Sequence, residues 1–106
     1  MLQGVVIRGT TPKHEFGLPY PLELVSDFEI AYGQKNKIIF KKTKEECTVE
    51  DGVIALSLSQ EETFSLNPRQ YLNIEIRIKL TNGMIVHNED PIILRVQDTM
   101  YEEVMD

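Results

Sequence analysis

The chain has 106 residues, 42% of them apolar and 26% charged, with a formal net charge of −6. That length suits one domain, read as 1–106, and the apolar share excludes a disordered chain. The acidic balance repels phosphate backbones, so general nucleic-acid binding is disfavoured, and no apolar run approaches the length of a membrane-spanning helix.

The opening, "MLQGVVIRGT", carries neither a basic lead-in nor an apolar stretch of leader length. "VVIRGTTPKHEF" then reads as a first strand, a Gly-Thr-Thr-Pro bend and a second strand over 13–18, with Phe16 and Leu18 packed inside. "DFEIAYG" alternates through Phe28, Ile30 and Tyr32. A turn around Lys35 and Asn36 leads into a strand near 37–43. "CTVEDGVIALSL" predicts a hairpin with Asp51-Gly52 at its tip. Ser59 with Glu62 three residues later fits a capping box, so one short helical turn is expected there.

The clearest element is "YLNIEIRIKL", 71–80. Leu72, Ile74, Ile76, Ile78 and Leu80 take every second position, and Asn73, Glu75, Arg77 and Lys79 fill the gaps. A period of two puts the apolar set on one face of a strand and leaves the charged face to water. "TNG" at 81–83 signals a hairpin into "MIVHN". "PIILRVQ", 91–97, alternates again. All five prolines fall at strand boundaries, where a missing N–H does least harm. "TMYEEVMD" is read as a short helix or a loose end. The whole pattern predicts an all-β fold: an immunoglobulin-like antiparallel β-sandwich of seven or eight strands with one short helical turn.

The chemistry-bearing residues do not assemble into a motif. His14 and Glu15 are neighbours on a strand, so they point to opposite faces and form no dyad by adjacency. "HNED" offers His87, Glu89 and Asp90 as metal ligands, but a polar loop between strands explains it equally well. Lys35, Lys37, Lys41, Lys42 and Lys44 form either an anion-binding patch or, better, lysines that guard a sheet edge. The single cysteine, Cys47, cannot form an internal disulfide, which favours a reducing compartment, and it reads as an inert thiol. Gly-rich phosphate loops, nucleophile elbows and paired-cysteine motifs are all missing. No catalytic, cofactor-binding or metal residue is therefore assigned, no cofactor is expected, and the chain is read as not an enzyme.

Four stretches, "IRGTTPKHEFGLP", "FEIAYGQKNKIIFKK", "LSLSQEETFSL" and "LNIEIRIKLTNGMI", span nearly the whole chain in order. In them the chain resembles a family of small prophage-encoded proteins from Gram-positive bacteria, similar to the N-terminal immunoglobulin-like domain of phage baseplate upper proteins. The resemblance implies a non-enzymatic structural part of a phage tail or baseplate, located in the virion and assembled in the bacterial host cytoplasm. Its partners would be other virion subunits, with self-association into a homo-oligomer, and neither nucleic acid nor membrane. It supplies no site residues. The alternative is a binding module for carbohydrate or another cell-surface ligand, using Tyr20, Tyr32, Tyr71 or Tyr101. A hydrolase or metal enzyme would have to use His14, His87, Glu89 or Asp90.

Overall fold

Alternation in the sequence becomes alternation in space. The structure, a computed structural model, describes residues 2–106, with side chains from residue 4 onward. In chain order the strands are β1 (Leu2–Ile7), β2 (Lys13–Gly17), β3 (Val25–Gln34), β4 (Lys37–Thr43), β5 (Thr48–Glu50), β6 (Val53–Ser57), β7 (Leu72–Leu80), β8 (Ile85–His87) and β9 (Ile92–Gln97). One short helix, α1 (Gln60–Phe64), lies between β6 and β7. Among the described residues no helix is long and apolar enough to cross a membrane.

Two sheets face each other, as the all-β sandwich reading expects. The larger runs β1-β9-β7-β3-β4, with β8 also pairing to β7; the smaller runs β2-β6-β5. Phe28, Ile30 and Tyr32 of β3 and Leu72, Ile74, Ile76 and Ile78 of β7 point inward and are buried. Ile54 and Leu56 of β6 meet them from the small sheet, with Leu58 and Leu66 beside α1 closing the core. On the outer face, Arg77 pairs with Glu29, and Lys41 lies 3.5 Å from the same carboxylate. Such exposed pairs fix little stability, but they keep that face wet.

Local chemistry sets the turns. Lys35 and Asn36 have φ of 50° and 61°, and Asp51 and Gly52 have 51° and 76°. Two consecutive positive values give the hairpin turn whose twist matches its strands. The capping box at Ser59 forms as expected: Glu62 N–H donates to Ser59 Oγ, and Ser59 N–H donates back to the Glu62 carboxylate at 2.8 Å. A second box, from Thr43 to Glu46, closes a 3-10 turn after β4. Its Ser/Thr-x-x-Glu spacing is the same, so the signal for it was present in the sequence although no turn is expected there.

Two features differ from expectation. Among the described residues there are nine strands rather than seven or eight, and the two shortest, β5 and β8, have three residues each. And the sandwich is not wholly antiparallel. β1 runs parallel to β9, with Val5 opposite Arg95 and Ile7 opposite Gln97. β1 and β2 therefore belong to different sheets, and the Gly-Thr-Thr-Pro bend carries the chain across the sandwich. Gly9 is required in that bend: its φ is 79°, and a Cβ there would lie 2.6 Å from the Phe64 ring. The segment 98–106 forms no helix; its Met105 backbone N–H and carbonyl are both hydrogen-bonded to the Gln60 side-chain amide.

Candidate functional site

The two polar stretches that the sequence keeps about 70 residues apart line one cleft. Lys13, His14 and Glu15 stand on one wall, and His87, Asn88, Glu89 and Asp90 on the other, around a volume of about 810 Å³. Ile74, Ile76 and Leu94 form the floor, and Tyr20 closes one side. The small sheet is three strands wide against a five-strand path, and its end strand β2 stands beside β7 and β9 at the cleft, whose floor side chains are themselves buried.

His14 turns inward from β2. Its ring stacks on Tyr32 with centroids 5.7 Å apart, and its Nδ1 is hydrogen-bonded to the Tyr32 hydroxyl at 2.7 Å. Tyr32 in turn stacks on Phe40 at 4.8 Å. Burial holds the His14 pKa below its ordinary value, and burial, then the charges of Cys47 and Glu62, pushes the Tyr32 hydroxyl far up. Glu15, next along the strand, is exposed. The pair does not form a dyad, as strand geometry predicts.

The lowered His14 value has a definite sign in stability. Above about pH 6.5 the ring is neutral folded or unfolded, and stability is full. As pH falls, the unfolded chain takes up the proton first, so stability drops until the lower folded pKa is passed. Between about pH 7.5 and about pH 5, the urea midpoint is expected to drop more for the wild type than for His14→Phe. Equal drops would refute the argument.

The opposite wall has a structural job. β8 and β9 both pair with the same edge of β7, β8 at Arg77–Lys79 and β9 at Leu72–Ile74. Asn88 bridges the gap between them. Ile76 N–H donates to its Oδ1 at 2.9 Å, its own N–H donates to the Ile76 carbonyl at 3.2 Å, and its Nδ2 donates to the Asp90 carbonyl at 2.8 Å. Asn88 thus substitutes for a strand residue over one position of β7. Asn88→Ala would leave the Ile76 N–H without an acceptor, at a cost of about 1–3 kcal/mol, read as a lower unfolding free energy in urea. His87 Nδ1 lies 3.2 Å from the Asn88 carbonyl.

Among the described residues, no three His, Cys, Asp or Glu side chains come close enough to hold a metal ion together. His14, His87, Glu89 and Asp90 share a cleft without forming a ligand set. The lysine run divides. β4 is an edge strand, the position that edge-guarding lysines require. Lys42, however, turns inward and is buried. Its Nζ lies 2.7 Å from Glu62 and 3.8 Å from Glu46, the two carboxylates that close the capping boxes. Hydrogen bonds from the Thr43 backbone and hydroxyl, with Lys42 nearby, hold the Glu46 carboxyl below its usual pKa. Burial and the charge of Glu46 push the Cys47 thiol up, against a smaller pull from Lys42, and its S–H donates to the Thr43 carbonyl at 3.3 Å.

Arg8 is likewise structural. It donates to Asp98 at 2.7 Å and to the Phe64 carbonyl at 2.9 Å, and lies over the Phe64 ring. It clasps β1, α1 and the end of β9. Thr10 caps its own bend by donating to the Ile7 carbonyl. Sequence reasoning also missed Gln34, buried at the end of β3. Its amide donates to the Asn67 and Gln70 carbonyls and accepts from Asn67 N–H, tying down the loop before β7. Its inward position in the β3 alternation was the available signal. No family model matches this chain, and no curated protein matches it in sequence.

Proposed function

We propose that this protein is a non-enzymatic structural component of a phage tail or baseplate that acts through contacts with other subunits in the virion. One observation carries the reading: both sheets end in strands that, among the described residues, pair on one side only, and two of these edges expose large apolar side chains. Ile38 and Ile39 do so on β4, and Val5 and Ile7 on β1. Unpaired backbone beside exposed aliphatic groups is what strand-mediated assembly uses, backbone bonds giving affinity and side chains specificity. The polar groups that chemistry would need are engaged in holding the fold: His14 with Tyr32, Asn88 with Ile76, Arg8 with Asp98. The resemblance to prophage-encoded sandwich proteins supplies the setting, a virion assembled in a bacterial cytoplasm. Tail particles purified from the induced prophage and analysed by mass spectrometry are expected to contain this chain in fixed ratio to the other tail proteins. Its absence from complete particles would remove the reading.

A second reading, a carbohydrate-binding module, is favoured by Tyr20, Glu89 and Asp90 lining the same cleft. An aromatic face beside carboxylates is a common way to hold a sugar ring. Calorimetric titration with host wall polysaccharide decides it, and no heat at saturating polymer would dismiss it.

A further inference from the structure

The free edge of β2 is a vacancy for one more strand. In the β2–β6 ladder, Leu58 N–H donates to the Pro12 carbonyl and Leu18 N–H to the Gly52 carbonyl. Antiparallel bonding alternates, so between these ends His14 and Phe16 direct their backbone groups to β6. Lys13, Glu15 and Gly17 direct theirs outward, and no partner for them is found among the described residues. That outward edge borders the cleft, over the floor of Ile74, Ile76 and Leu94. Gly17 faces open space, with nothing within 4 Å of where a Cβ would stand. Backbone donors and acceptors repeating at every second residue are complementary to an extended chain, and a fourth strand here would extend the small sheet along the cleft.

The charge around the cleft narrows the occupant. Glu15, Glu89 and Asp90 stand against the single ammonium of Lys13. An incoming strand should therefore be basic, and apolar where it meets the floor. This chain carries such a strand. β4 ends the large sheet on the side away from β2, has Lys37 and Lys41 along it with Lys35 in the turn before it, and exposes Ile38 (62%) and Ile39 (39%). The geometry points to a head-to-tail contact between copies of this chain, in which the β4 edge of one seats against β2 in the cleft of the next. The two surfaces differ, so the contact is heterologous: it closes as a ring or continues as an open row. The contact rests on the structural role proposed above and gives it a partner surface.

Sedimentation and light scattering of the purified full chain across a concentration series test it. The wild type is expected to self-associate beyond a dimer and to weaken as salt rises. Glu15→Pro removes an N–H that the fold does not use and blocks the edge; it should weaken association by about tenfold or more. Lys35→Glu/Lys37→Glu should do the same without touching the cleft, as should Glu89→Lys/Asp90→Lys without touching β4. Mixing the two charge-reversed proteins should restore association between them, which also keeps the test decisive should the proline variant fold poorly. A chain that stays monomeric at all concentrations would overturn the contact, as would association indifferent to all three variants. The two ideas fail separately: a chain present in particles but monomeric when pure loses only this contact, while one that associates as described but is absent from particles loses only the tail role.

Discussion

Glu62→Ala is expected to lower the unfolding free energy by about 3 kcal/mol or more. Lys42 is buried, and its closest counter-charge is Glu62 at 2.7 Å; Glu46 stands at 3.8 Å with its carboxylate already accepting from Thr43. Removing Glu62 leaves an ammonium in the interior with one distant partner, and desolvation of an uncompensated charge is the dominant cost. The same change deletes the acceptor for Ser59 N–H and so loosens the start of α1. The double variant Lys42→Met/Glu62→Gln separates the two effects. It removes both charges, keeps an acceptor for the cap, and should return to within about 1 kcal/mol of the wild type, because a buried ion pair contributes little beyond an apolar pair of similar volume. Urea unfolding of the wild type and both variants reads the difference. A Glu62→Ala loss well under about 1 kcal/mol would mean that Lys42 finds water or Glu46 on its own.

Tyr32→Ala should cost about 3–5 kcal/mol. The ring is fully buried in the inward face of β3, stacked between His14 of the small sheet and Phe40 of the neighbouring strand. It therefore spans the two layers. Tyr32→Phe keeps the ring and removes only the hydroxyl, leaving His14 Nδ1 unpartnered in a half-buried setting. That should cost about 1–2 kcal/mol. Thermal and urea midpoints of the two variants give the ratio. Equal losses would mean that the hydrogen bond, not the packing, holds the layers at this point.

What could be read in advance follows from the range of each interaction. Side chains within one strand report their own face, so Leu72 to Leu80 were legible residue by residue. The turns at Lys35-Asn36 and Asp51-Gly52 were legible because two adjacent residues carry the whole signal, and the Ser59–Glu62 box because its members stand three residues apart. Which strands pair is a different matter. Nothing local in "VVIRG" says that it lies parallel to residues 93–97, since the alternation would be the same beside any partner. The candidate site was half legible for the same reason. Its residues were named, but their meeting in one cleft depends on the end strand of the small sheet standing beside β7 and β9 of the large one. The inward turn of Lys42 was hidden by its four lysine neighbours, although its parity with Phe40 marks it as core-facing.

The parallel seam between β1 and β9 also has a consequence in time. It joins segments near the two ends of the described chain, and Arg8 and Asp98, which clasp it, are 90 residues apart. At the usual pace of translation, roughly 5–20 residues per second, the first strand waits for roughly 5–20 s before its mate leaves the ribosome. During that wait Val6, later among the most deeply covered residues, has only transient shelter. The antiparallel hairpins between these strands can close early, so among the described strands the seam is the pairing with the longest wait.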